Sequence, residues 1–402
     1  MILLELCTKH LHKLCVEIKD RRLGGPGNIL ATDYFLKCLN DLNWECTSTP
    51  LSVMDWKTRG ASLSCGEKEF EVHSSHYSLA CSVSGELMAV DSIEKLRSSA
   101  IQNKIVLLHG AIASEQIMPK NFVFYNPDSH QEIIQLLETG KPLALLCATE
   151  RNAATAGGVY PFPLFEDGDF DIPSVFMKDT EGEKLLDCLG QQVTLFSAAE
   201  RIPARAYNIL ANKAGSKGQR IVVSAHIDAK IGTPGAIDNA TGVAVLLLLA
   251  ELLKDYRGKY GIELAAFNGE DYYAVSGQMK YIEQNHNNFE QVALNINIDG
   301  AGYHEGLSCF SAFELPADMK LALDKVIETH PAIVEGLPWF QGDHSIFLQY
   351  GRPAIAVSSD WFIKHMNDQD ITHTPKDNLS IVRFDRVVEA ALGIEDFIRQ
   401  LK

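Results

Sequence analysis

The chain has 402 residues, 46% of them hydrophobic and 22% charged, the balance of a soluble globular protein long enough for two or three domains. Its net charge of −16 disfavours nucleic acid and anionic membranes as partners, because like charges repel at long range. The nine cysteines, Cys7, Cys15, Cys38, Cys46, Cys65, Cys81, Cys147, Cys188 and Cys309, include no Cys-x-x-Cys pair, which argues against a thiolate zinc site and suits buried thiols in a reducing compartment.

At the amino terminus, "MILLELCTKHLHKLC" carries Glu5, Lys9 and Lys13 and has neither a long apolar core nor a small-residue cleavage site. No signal peptide is expected, and a cytoplasmic location follows. Leu4, Leu11, Leu14, Val16 and Ile18 have the spacing of an amphipathic helix, which "DRRLGGPGN" breaks. A second helix is expected through "ILATDYFLKCLNDL". Residues 56–200 then read as an inserted α/β domain, with 1–55 and 201–402 forming one discontinuous main domain. Within the insertion, "NKIVLLHG", "KPLALLCAT" and "DIPSVFMKD" read as buried strands. Between the first two, "SHQEIIQLLETG" reads as a helix stopped by Gly140.

From Ala206 the pattern alternates. "QRIVVSA", "IELAAFN", "VALNINID" and "RPAIAVSS" read as strands, and helices are expected at "TGVAVLLLLAELLKDY", "GQMKYIEQN", "ADMKLALDKVIETH" and from about Phe384 to Gln400. This predicts an α/β fold with a mostly parallel, mixed sheet and helices on both faces. The apolar run Val243–Leu253 is too short to span a bilayer and contains Glu251.

Chemistry gathers where these strands end, as it does in sheets of this kind. His226 and Asp228 follow the first strand, Asp238 precedes the next helix, Glu270 and Asp271 follow "IELAAFN", Asp299 follows "NINI", and His373 and Asp377 lie in "DITHTPKDN". Each alone has an ordinary explanation; Asp238, for example, could cap the helix after it. Together on one sheet edge, the carboxylates would repel one another without a cation. Two imidazoles and three carboxylates form a sulfur-free set suited to zinc and tolerable to manganese or cobalt. Asp228, two residues after His226, can hold the second imidazole nitrogen as an outer partner if the backbone stays extended. No Gly-x-Ser-x-Gly elbow and no His-Glu-x-x-His pair occurs, which removes the corresponding serine-hydrolase and helical zinc-protease designs.

The motifs "AHIDA…PGAIDNATG", "FNGED", "NIDGAG", "GDHSIF" and "HTPKDN", in that order, resemble the co-catalytic zinc aminopeptidases and glutamate carboxypeptidases. The glutaminyl cyclases and transferrin receptors are relatives in that family. The opening "RRLGGPGN" is similar to its amino-terminal segment, and the insertion more loosely resembles a protease-associated domain. The resemblance implies two Zn²⁺ ions, one on His226, Asp238 and Asp299 and the other on Asp238, Asp271 and His373, with Asp238 bridging. It implies Glu270 as general base, and a metal-dependent exopeptidase acting on peptides. Aminopeptidase action is expected; a carboxypeptidase, a glutaminyl cyclase or a non-catalytic binding protein of this fold are the alternatives. Where the family has Glu-Glu, this chain has Glu270-Asp271, so one ligand is a methylene shorter. His344, with Asp343, lies in a segment that the family places near its active centre. Trp339 and Phe340 are candidates to line a substrate pocket, and Tyr303 is a candidate carbonyl-binding tyrosine. Whether the chain forms a homo-oligomer is left open.

Overall fold

The structure, a computed structural model, describes residues 2–401. The chain divides into two compact units: one holds the described residues up to Val53, Arg205–Asp271 and those from Val275 onward, the other Met54–Ala204 with Tyr272–Ala274. The cuts lie at 53/54 and 204/205, where the sequence reading placed 55/56 and 200/201.

The first unit is built on a mixed sheet. Its strands are β1 (Gln192–Lys213, through residues 209–213), β2 (Arg220–His226), β3 (Gly261–Phe267), β4 (Val292–Ile298), β5 (Ser308–Phe313), β6 (Ile333–Glu335) and β7 (Ala354–Ser359). Their order is β6-β5-β7-β4-β2-β3-β1. The four central strands β7, β4, β2 and β3 are parallel, whereas β5 runs antiparallel to β7 and β1 antiparallel to β3. Central parallel strands are covered on both faces, so they read as near-continuous apolar runs; all seven residues of β3 and all six of β7 are buried.

Helices α1 (Ile2–His12), α2 (Pro26–Asp41), α3 (Thr241–Leu252), α4 (Ser276–Asn285), α5 (Ala317–Thr329) and α6 (Phe384–Gln400) belong to this unit. Every residue of α3 from Thr241 to Ala250 is buried, because it packs against β2 and β3 as well as α1, α2 and α6. A helix apolar all round needs such surroundings. By contrast α6 buries one stripe, Val387, Ala390, Ala391, Ile394, Phe397 and Ile398, at the spacing of one helix face. Among the described residues, no helix is long and apolar enough to cross a membrane.

In the second unit, Cys81–Val90, Ile105–Leu108, Ala144–Thr149 and Ser174–Lys178 form a parallel array, and His73–Ser74 pairs antiparallel with the last. Its helix Asp128–Gly140 ends differently from expectation: Gly140 is still helical, and the left-handed residue is Lys141 at φ 51°. Gly140 is small for another reason, since a Cβ there would lie 2.5 Å from Ile101.

Candidate metal centre

His226 is the last residue of β2, and its side chain is 1% exposed. The chain then loops and returns to α3, with Asp238 just before the helix. The Asp238–Asn239 peptide is cis. Asn239, rather than Asp238, caps the helix: its Oδ1 accepts from Gly242 N at 3.0 Å, while its Nδ2 donates to Ile298 O at 2.8 Å. Asp238 is thereby left free of helix capping. The end of β3 delivers Glu270 and Asp271 through Gly269, whose φ of +94° is open to glycine at little cost. The end of β4 delivers Asp299, and a loop after β7 delivers His373, a non-glycine residue at φ +63°. Such backbone costs energy and gathers at functional sites.

These groups converge. His226 Nε2 lies 3.1 Å from Asp238 Oδ1 and 3.7 Å from Asp299 Oδ1. His373 Nε2 lies 3.1 Å from Asp238 Oδ2 and 3.0 Å from Asp271 Oδ1. Each oxygen of Asp238 therefore faces a different imidazole. The sets His226, Asp238, Asp299 and Asp238, Asp271, His373 each present ligand atoms within 4.8 Å of one another. Asp271 reaches this cluster despite its short arm.

The donors fit a divalent metal. Both ring nitrogens of His226 and Oδ2 of Asp271 are buried without a hydrogen bond, a costly state for polar atoms that a cation would relieve. The electrostatics agree. Burial pushes the His226 imidazole down, but Asp228, Asp238 and Asp299 override it and hold the ring well above its ordinary pKa. Burial likewise opposes protonation of His373, and Asp271 and Asp238 reverse that. Asp238, resisted by burial, is drawn below the usual carboxylate range by the two histidines. Burial pushes the Glu270 carboxyl well up; His226 opposes the shift, and Asp271, Asp299 and Asp343 reinforce it.

Asp228 is placed differently from expectation. Its Oδ1 is 3.7 Å from His226 Nδ1, beyond a hydrogen bond. Fully buried, its carboxylate instead accepts from the backbone N–H of Gly269 (2.6 Å), Glu270 (3.4 Å) and Asp271 (3.1 Å). Asp228 therefore holds the loop that presents Glu270 and Asp271. Asp377 does the same for Asp238, accepting from Ile237 N at 2.7 Å and Asp238 N at 3.1 Å.

Of the four residues considered for substrate contact, His344, Trp339 and Tyr303 are buried. His344 is fully buried, donating from Nε2 to Trp339 O at 2.8 Å. It packs between Trp339 and Phe313. Trp339 itself joins Phe313, Ala354 and Ala356 in an apolar cluster, and Tyr303 packs with Ile237, Phe362 and Ile371. All three sit in packed surroundings, while Trp339 Nε1 and His344 Nδ1 are buried without a hydrogen bond. Phe340, in contrast, is 66% exposed. The sequence reading missed Gln278, which donates to Asp343 Oδ1 at 2.5 Å; nothing in its local pattern marks it.

The model of peptidase family M28 matches residues 208–397, a span that contains all the converging groups. Over those residues the chain is similar to family M28. The curated relatives include the probable lipoprotein aminopeptidase LpqL of Mycobacterium tuberculosis, 23% identical over an alignment of 360 residues, which covers 87% of this chain and 67% of that protein. Among solved structures, the aminopeptidase from Aneurinibacillus sp. strain AM-1 superposes with a TM-score of 0.77 at 18% identity, covering 99% of this chain and 93% of the other. BSAP, a zinc aminopeptidase from Bacillus subtilis, superposes with a TM-score of 0.76 at 17% identity, covering 99% and 95%. These superpositions agree with the mixed α/β fold described above.

Proposed function

We propose that the protein is a two-zinc aminopeptidase that removes N-terminal residues from peptides. The observation that carries this reading is Asp238, whose two oxygens lie 3.1 Å from two different imidazoles, the placement of a carboxylate shared between two ions. His226, Asp238 and Asp299 would hold one zinc ion, and Asp238, Asp271 and His373 the other. When bound, zinc supplies Lewis acidity that polarises the scissile carbonyl and makes water nucleophilic near neutral pH. Glu270, beside these ligands and lifted in pKa by burial, takes the proton from the attacking water and returns it to the leaving amine. Asp228 and Asp377 keep the ligand loops in register without touching substrate.

The family match and the names of the relatives support the aminopeptidase direction. For the inserted unit we keep the protease-associated-like reading, supported by its place between two parts of the peptidase unit and by its own parallel array.

Glu270→Gln tests the assignment. Zinc content should stay near two per chain while turnover falls by about 10²–10⁴-fold, the usual size of a lost general base. Unchanged turnover would remove Glu270 from the reaction.

A further inference from the structure

Arg21 stands in the glycine-rich break after the first helical segment, and its side chain is 1% exposed. Burying a cation is costly unless its hydrogen bonds are met. Arg21 meets them with main-chain carbonyls: Nε donates to Ile227 O at 3.0 Å, Nη1 to Leu14 O at 2.9 Å and Pro234 O at 2.8 Å, and Nη2 to Gly235 O at 2.8 Å.

Three of these four acceptors lie at the two feet of one loop. Ile227 directly follows His226; Pro234 and Gly235 lie just before Asp238. The guanidinium thus ties together the backbone on either side of the loop that separates two ligands of the same ion. It grips carbonyls, while Asp377 grips the amides of Ile237 and Asp238 in the same turn. Gly235 is fitted to this approach: it has φ +58°, and a Cβ there would lie 2.8 Å from Arg21 Nη2 and 2.6 Å from the Ala229 Cβ. The brace continues to the next ligand loop. Asn28 Nδ2 donates to Arg21 O at 3.1 Å, and Asn28 exchanges hydrogen bonds of 2.8 and 3.0 Å with Asn268, two residues before Glu270.

We propose that Arg21 is a positioning residue whose guanidinium fixes the separation of His226 and Asp238, and so shapes the first zinc site before metal arrives. The inference rests on the two-zinc reading. A planar fork with five donors spans both feet of the loop; lysine, a point charge with three donors on one nitrogen, does not.

The test is Arg21→Lys, followed by zinc competition against a chromophoric chelator, the visible spectrum of the Co²⁺-loaded protein, and kcat and KM on a peptide. The expected result is a folded chain with at least ten-fold weaker binding of one zinc ion, a shifted Co²⁺ spectrum, and a lower kcat at little-changed KM. Two zinc ions bound at wild-type affinity with a wild-type Co²⁺ spectrum would overturn the role of Arg21 alone. A wild-type chain that binds fewer than two zinc ions would overturn the two-zinc reading and this inference with it. Should the variant not fold, the Nε–H of Arg21 in ¹⁵N-arginine-labelled wild type decides. Protection from solvent exchange already in the zinc-free protein supports the inference, and protection that arises only on adding zinc overturns it.

Discussion

At the scale of single residues, the centre separates groups placed to hold a cation from groups that hold those groups still. Asp238 could be read as a helix cap, but Asn239 takes the cap and leaves both Asp238 oxygens to the histidines. Asp228 is the clearest holding group, with three backbone N–H donors on one buried carboxylate. Asp228→Ala would strand those donors, and unmet buried donors cost about 1–3 kcal/mol each. A loss on the order of 3 kcal/mol is therefore expected in thermal or denaturant unfolding, together with weaker zinc binding through the displaced Asp271. Full stability and unchanged zinc affinity would show that Asp228 does not hold this loop. Asp271→Asn tests the shorter ligand: its Oδ1 faces His373 Nε2 at 3.0 Å, so loss of charge there should release one of the two proposed zinc ions in a metal analysis.

At the scale of elements, what was legible in the sequence depended on pattern length. The helix Phe384–Gln400 was legible because its apolar residues recur on one face over several turns. Strands β2, β3, β4 and β7 were legible because central parallel strands are apolar on both sides. Strands β5, "SCFSAF", and β6, only three residues long, were missed, since short mixed runs carry no clear period. The first helical segment was placed, yet its end in a π-helical turn at Lys13–Glu17 has no local signature. That segment also makes stability depend on pH. His10, 6% exposed, makes a 2.7 Å hydrogen bond between Nδ1 and the Tyr34 hydroxyl. Burial, aided by Lys9, lowers its pKa to about 4 from an ordinary 6.5. As pH falls through 6.5 the unfolded chain takes up this proton while the native one does not. His10 thus erodes stability between about pH 6.5 and 4, and adds no further loss below that. His10→Gln should flatten the fall of Tm over this window by one proton's worth of slope; an unchanged slope would place the titrating group elsewhere.

At the scale of the whole molecule, the convergence of these side chains was legible because parallel strands deliver their carboxyl ends to one edge. Residues far apart in sequence, such as His226 and His373, could therefore be assigned to one place. The holding network was less legible. Arg21, Asn28 and Asn268 make their decisive bonds to backbone atoms or to each other across more than 200 positions, and side-chain type does not announce such partners. Trp339, Tyr303 and His344, chemically suggestive in the sequence, are all packed against aromatic or apolar neighbours. On the proposed reading, two zinc ions on these five side chains would make the chain an aminopeptidase. The most direct test of that reading is mass spectrometry of a mixed peptide pool incubated with the zinc-loaded protein, with a chelator-treated control and N-acetylated copies of the same peptides. The expected result is chelator-sensitive loss of single residues from free amino termini, with the acetylated copies left intact. Trimming from the carboxyl end, or no mass change in a protein carrying two zinc ions, would contradict it.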